Sequence, residues 1–506
     1  MIKNFFVIVL ILSAGINLFA DVKLPAVLSD NMVLQQQSDA RFWGWAAPGE
    51  KVVVQGSWTK DACKPVTAGN DGKWKMTLKT PKAGGPYTIT VKGNNTITLK
   101  NILIGELWVC SGQSNMEFRL PHAINGKQEV EEANYPQIRF FNVSGAYTAH
   151  PADDVKGHWS ECTPKSAGRI FAVPYFFARK IHKEINVPIG LITPAMGATP
   201  ARAWTSGKML VEKNMYAHEV KLISDKETIE KATAKYQADM DTWNKKIDKT
   251  DPGMVGSKRA ALPGAPRGLP RIGARYPSAL FNGMISPLTS LTIKGAIWYQ
   301  GENDVSGVGW YRPLFPNLIQ SWRDAWDLGD FPFYHVQLPP YDYGGSNSAF
   351  LREVQMKSLS INNVGIAVTL DVGDFKNIHP PNKKDVGERL ALWALAKNYG
   401  RKDLVCSGPI YKGMQIEGGK IRLSFEYTGS GLMAKGGELA NFMIAAADRK
   451  FVPAKATIEN NTIVVSSDDV AKPVAVRYAF DNAGVPSLFN KEGLPASSFR
   501  TDSWSR

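Results

Sequence analysis

The hydrophobic rhythm of this chain changes near residue 100, and that change limits the folds open to it. Before it, the runs RFWGW, KVVVQ, KWKMTLK and YTITV alternate apolar and polar residues and are broken by APGE, GNDG, KAGG and GNN. A period of two with turn residues between short runs predicts half-buried strands, so residues 21–100 are read as a β-sandwich module. After it, the strand-like runs ELWVC, VPIGLIT and KGAIWYQ are apolar throughout, as strands buried on both faces are. They alternate with segments of helical period, PYFFARKIHKEIN at 174–186 and DVGERLALWALAKN at 385–398. The second has Asp385 near its start and Gly400 just past its end. Strand and helix in alternation predict an α/β fold, a three-layer α/β/α domain on a mostly parallel sheet, over residues 101–405. KIRLSFEY, TIVVSS and AVRYAF then return to strand rhythm, and residues 406–506 are expected to form a C-terminal β-rich module.

Two segments stand apart from this plan. Residues 207–275 hold a charged helical stretch, ISDKETIEKATAKYQADMDTWNKKID, and then the Pro/Gly-rich PGAPRGLPRIGARYP. They read as an insertion, either a cover over a site or a surface helix. Residues 1–20 read as a signal peptide: Lys3 gives the positive start, Phe5 to Leu12 the apolar run, and Ala20 the small residue before the cut. Asp21 would begin an exported chain, periplasmic or extracellular. Further along, no run reaches the roughly 20 apolar residues of a membrane span.

Charge and cysteines narrow the partners. The net charge of +14 is spread along the chain without a basic run interleaved with aromatics, which argues against nucleic acid. A basic surface suits acidic glycans, and equally a simply solvated exterior. The four cysteines, Cys63, Cys110, Cys162 and Cys406, are sparse and lack CxxC spacing, so neither a disulfide framework nor a zinc site is expected.

Four blocks could carry chemistry. Ser114 lies in CSGQSNM directly after an apolar run; a strand-to-helix turn would present its hydroxyl, which needs a base to become a nucleophile. In the second, Trp298-Tyr299-Gln300-Gly301-Glu302-Asn303-Asp304, the amides of Gln300 and Asn303 could bind a developing oxyanion. The third, Asp371 to Pro380, contains His379, the best placed of seven histidines to serve as a base; His335 lies in an apolar run and reads as core. In the fourth, Ala195-Met196-Gly197-Ala198-Thr199, Gly197 could offer a backbone N–H or simply make a tight turn.

Together these blocks resemble the sialate O-acetylesterase family of SGNH hydrolases. The resemblance rests on LPAVLSDNMVLQQ and FWGWAAPGE, GELWVCSGQSNM, LFNGMISPL with IKGAIWYQGEND, IHPPNKKDVGERLALWAL and LPASSFRTDSW. It implies an SGNH-type three-layer domain flanked by β-sandwich modules, and hydrolysis of sugar acetyl esters with no metal or cofactor. It also implies Ser114 as nucleophile and His379 as base. The N–H groups of Ser114 and Gly197, with Gln300 and Asn303, would form the oxyanion hole. Trp298, Glu302 and Trp310 are candidates to bind the sugar. Several positions depart from the family pattern: Ala195-Met196-Gly197-Ala198-Thr199 stands where it usually has a form like SWGGT, and GEND where it often has GESN, which puts the amide at Asn303. Where it places an aspartate two or three residues before the histidine, this chain has Asn377 and Lys376. Asp374 is then favoured as the acid that orients His379, with Asp371 or a Ser–His dyad as alternatives.

Three functions fit this reading. The first is removal of 9-O-acetyl groups from sialic acids. The second is deacetylation of xylan or another polysaccharide. The third is glycan binding by a site that has lost its acid. Nothing in the sequence sets the oligomeric state.

Overall fold

The computed structural model describes residues 21–60, 63–248 and 270–504, so the leader expected at 1–20 lies outside the described residues. Seven strands line up across the central sheet in the order Val364–Ala367, Phe333–Val336, Gly295–Tyr299, Thr96–Gly112, Ile189–Thr193, Tyr135–Asn142 and Trp159–Cys162. The first six run parallel and the last is antiparallel. The chain adds strands on one side of Thr96–Gly112 and then crosses to the other. The carboxyl end of that strand is therefore the switch point, where α/β sheets leave a crevice for a ligand.

Helices Ala172–Ile185 and Lys384–Asn398 cover one face, packing Phe176, Phe177, Leu390 and Trp393 with Trp108, Ile297 and Tyr299. Gly387 makes their close approach possible, since a Cβ there would sit 2.6 Å from the Val173 carbonyl oxygen. The other face is covered by helix Val308–Trp326, with Trp298, Trp322 and Trp326 fully buried. This second core continues without a break into the N-terminal module, through Phe42, Val54 and Ile104.

The continuity has a visible cause. The expected boundary at residues 100/101 falls inside one 17-residue strand, Thr96–Gly112. Its first half pairs with Gly84–Lys92 and Val33–Gln35 in the N-terminal module, and its second half with Ile189–Thr193 and Gly295–Tyr299. The strand that leads to Ser114 is thus anchored in two modules.

Beyond residue 405 lie two four-stranded antiparallel sheets, in which Ile421, Leu423, Ile444, Ile463, Val476 and Tyr478 form a separate core. The insertion contains helices Gly207–Glu212, Ala217–Ser224 and Lys226–Asp248; residues 249–269 lie outside the described residues. The longest helix carries exposed pairs such as Lys231–Glu227, the kind that adds little to stability. All four cysteines are free thiols, three of them buried. Among the described residues no helix is long and apolar enough to cross a membrane.

Candidate active site

The site forms where three loops leave the central sheet. At the end of Thr96–Gly112 the backbone turns sharply at Gly112, with φ of 145°. A Cβ there would meet the Tyr299 carbonyl oxygen at 2.1 Å, so the position requires glycine. The Gln113 N–H donates to that same carbonyl, and the Met116 and Glu117 N–H groups donate to the Gln113 carbonyl. This tight turn leaves Ser114 half-buried at the sheet edge, reachable from solvent.

His379 comes from the loop before helix Lys384–Asn398. Its Nε2 lies 2.8 Å from Ser114 Oγ, a hydrogen bond across 265 residues of sequence. Burial lowers the pKa of the imidazole, and the nearby Lys383 ammonium lowers it further. Both favour the neutral ring, the form that can accept a proton from the serine.

Asp374 is not part of this pair. It is exposed, and its Oδ1 accepts from the Lys376 N–H at 2.9 Å, closing a turn of its own loop. Asp371 is turned away as well, with both carboxylate oxygens taken by Arg389 at 2.6 Å. Among the described residues, no carboxylate hydrogen-bonds to His379. The expectation of Asp374 as the orienting acid is therefore corrected: its loop closes on its own backbone instead of folding back to the ring.

The other sequence candidates divide between the site and the core. Gly197 is beside the serine: a Cβ added there would lie 3.4 Å from Ser114 Cβ. Its N–H currently donates to Glu117 Oε2 at 2.9 Å. Asn303 is half-buried nearby, its N–H donating to Gln113 Oε1 and its Oδ1 accepting from Arg275 at 2.6 Å. Gln300, by contrast, is fully buried, its Nε2 donating to Thr199 O and Asp304 Oδ2. Asp304 also accepts from the Ala201 N–H, so these groups tie the Gly197 loop to the Gln300 loop from below. Gln300 braces the site and is directed away from the reacting groups.

Trp298 is fully buried against Trp204 and Trp322, with ring centroids at 6.0 and 5.8 Å, and no sugar can stack on it. The strand is central and parallel, so both of its faces are covered. Glu302 is 8% exposed and accepts from Asn115 Nδ2 at 2.5 Å, which places it behind the serine loop. Trp310 is 58% exposed and rests near Tyr216 of the insertion at 5.7 Å, free to meet a ligand.

Sequence reasoning missed Asn115, Glu117, Arg275 and Lys383. Lys383 had a signal: with Val386, Gly387 and Leu390 it forms one helical stripe, and those three are all buried.

A serine hydroxyl hydrogen-bonded to an imidazole that burial keeps toward its neutral form, with backbone and amide groups alongside at the switch point of an α/β sheet, is an arrangement suited to ester hydrolysis. The comparisons identify the group of hydrolases. The family described as "Carbohydrate esterase, sialic acid-specific acetylesterase" matches residues 104–254 and 274–395, more than half of the chain. Sialate O-acetylesterases of Mus musculus and Homo sapiens are 28% and 27% identical to it. Those alignments cover 94% and 96% of this chain and 93% of each relative. The crystal structure of a carbohydrate acetylesterase from Xanthomonas citri is 34% identical, with a TM-score of 0.80, over 96% of this chain and all of the other. The chain belongs to the sialic acid-specific acetylesterase family of carbohydrate esterases and is a carboxylic ester hydrolase that acts on O-acetylated carbohydrate.

Proposed function

We propose that the enzyme is exported and removes acetyl groups, 9-O-acetyl groups of sialic acids foremost, through an acetyl-enzyme on Ser114. The observation that carries this reading is the 2.8 Å contact of Ser114 Oγ with His379 Nε2 at the mouth of the crevice. His379 takes the serine proton as Oγ attacks the acetyl carbonyl carbon. The backbone N–H of Gly197 and the Asn303 amide receive the oxyanion. As the tetrahedral intermediate collapses, His379 returns the proton to the sugar oxygen, which leaves as an alcohol. Water, deprotonated by His379, then attacks the acetyl-enzyme and releases acetate. With Asp371 and Asp374 engaged elsewhere, the pair works as a Ser–His dyad.

An acidic sugar is favoured by a basic opening beside Asn303. Arg202, Arg271 and Arg275, with Glu219 as the one acidic lining residue among the described residues, line an opening of about 720 Å³ that reaches Asn303 through Arg275. Guanidinium groups suit a sugar carboxylate. Exposed Trp310 offers a ring face to the sugar. The sialate O-acetylesterases among the relatives point the same way.

Ser114→Ala should fold normally and lose roughly 10⁴-fold or more in kcat. A fluorophosphonate should label Ser114 in the unmodified protein, read by peptide mass spectrometry; labelling of another serine refutes the assignment. Acetate release from 9-O-acetylated sialoglycan should exceed that from acetyl-xylan, and the reverse order would make the enzyme a plant-polysaccharide deacetylase. N-terminal sequencing of the secreted protein should begin at or near Asp21.

A further inference from the structure

A lysine is fully buried directly behind the Ser114–His379 pair. Lys383 is 0% exposed, and its Nζ donates to Asn115 Oδ1. Its Nζ also lies over the faces of Phe118 and Tyr299, 4.7 and 5.3 Å from the ring centroids. Asn115 uses its whole amide: Nδ2 donates to Glu302 Oε1 at 2.5 Å and to the Ile378 carbonyl at 2.9 Å. A lysine can only donate and a carbonyl only accept, so this network allows one orientation of the amide. Asn115 follows Ser114 in sequence, and Ile378 precedes His379. One side chain thus ties the residue after the serine to the residue before the histidine, and Lys383 and Glu302 hold it from either side.

Placing an ammonium here is unfavourable on structural grounds alone. It is withdrawn from water, and it sits at the N-terminus of helix Lys384–Asn398, where the helix dipole repels a cation. An apolar residue would fill the same space at lower cost.

We infer that Lys383 is a positioning residue of this esterase: through Asn115 its buried ammonium fixes Ser114 against His379. The inference rests on the reading of Ser114 and His379 as the reacting pair. Besides His379, the ionisable groups facing this network are Glu302, whose Oε2 is buried without a partner among the described residues, and the phenols of Tyr299, Tyr311 and Tyr343. Burial lowers the Lys383 pKa to about 7 against the pull of Glu302. The ammonium is therefore charged in the weakly acidic range, where its effect on His379 matters.

The sign follows from the charge. A nearby cation opposes imidazolium, so removing it raises the His379 pKa, and activity then fails at higher pH as the medium is acidified. In Lys383→Met and Lys383→Gln, the acid limb of kcat/KM on an aryl acetate should move up by about half to one pH unit. The kcat at pH 8 should fall at least tenfold, with KM within about twofold because Lys383 touches no substrate. An acid limb that stays in place in the folded variants overturns the inference, since a purely structural lysine would lower kcat without moving it. Should neither variant fold, Glu302→Gln decides: it keeps the shape while weakening the hold on Asn115, so kcat should fall at constant KM, and full turnover overturns the inference. Fluorophosphonate labelling of Ser114 in the unmodified enzyme separates this failure from a misassigned nucleophile.

Discussion

The two sides of the catalytic crevice are held in different ways. On the side of the serine and histidine, the support comes from beneath and is buried: Asn115, Lys383 and Glu302 are all under 10% exposed. On the side of the proposed oxyanion donors, the partners are exposed: Glu117 accepts from the Gly197 N–H, and Arg275 holds the Asn303 amide oxygen. Buried hydrogen bonds resist rearrangement because an unpaired group there has no water to turn to. Exposed ones exchange with solvent at little cost. On the mechanism proposed above, the crevice would combine a fixed proton-transfer half with an oxyanion half held by exposed partners. Glu117 bears on this directly, because its carboxylate, chemically like acetate, occupies the Gly197 N–H proposed to receive the oxyanion.

The strongest test of this contrast is Asn303. Its Nδ2 has no partner among the described residues, while its Oδ1 is held by Arg275, which leaves the amide N–H groups free for substrate. Asn303→Ala should lower kcat by roughly 10²–10³, the cost of losing one oxyanion donor. Gln300→Ala should instead act mainly on stability, because its amide is buried against Thr199 and Asp304. Steady-state kinetics paired with thermal melts separate the two. A large kcat loss in a normally stable Gln300→Ala would place the donor on the buried side and break the comparison.

Glu117 gives a smaller effect of opposite sign. Glu117→Ala frees the Gly197 N–H and removes a negative charge beside Ser114, so kcat/KM on an aryl acetate should rise about two- to fivefold, the scale of one exposed charged contact. Acetate should also inhibit at lower concentration. A drop of tenfold or more would mean that Glu117 takes part in the reaction.

The same contrast explains which features the sequence revealed. The fold was legible where burial and period agree: uninterrupted apolar strands alternating with amphipathic helices specify a parallel sheet with both faces covered. Ser114 and His379 were legible because a polar turn directly after a buried strand is unusual and histidines are few. The block from Trp298 to Asp304 was harder. Its amides and carboxylates look like an exposed loop, yet Gln300, Glu302 and Asp304 turn inward to satisfy buried groups, and which way a polar side chain turns depends on contacts distant in sequence. Lys383 was obscured by its neighbour: a Lys-Lys pair at a helix start suggests a solvated end, and only the helical stripe with Val386 and Leu390 says otherwise. The module boundary was misplaced because a strand that serves two sheets keeps its period through the junction.

The smallest effect is expected at the carboxylate that sequence spacing favoured most. Asp374 caps the Lys376 N–H from an exposed loop, and an asparagine can accept that bond in the same geometry. Asp374→Asn should therefore keep kcat within about threefold and leave the acid limb in place. A true triad acid loses about 10⁴ on the same change, because the imidazole then takes the wrong tautomer. Asp371→Asn is the companion experiment. It removes a charge from a largely buried pair with Arg389, which also donates to the Val368 carbonyl and fastens this loop to helix Lys384–Asn398. Breaking such a pair costs about 3–5 kcal/mol, so the melting temperature should drop while the folded fraction keeps its turnover. A loss beyond a hundredfold in folded Asp374→Asn would restore that residue as the acid. The loop would then have to close onto His379 when substrate binds, and the proton-transfer half would be as mobile as the oxyanion half.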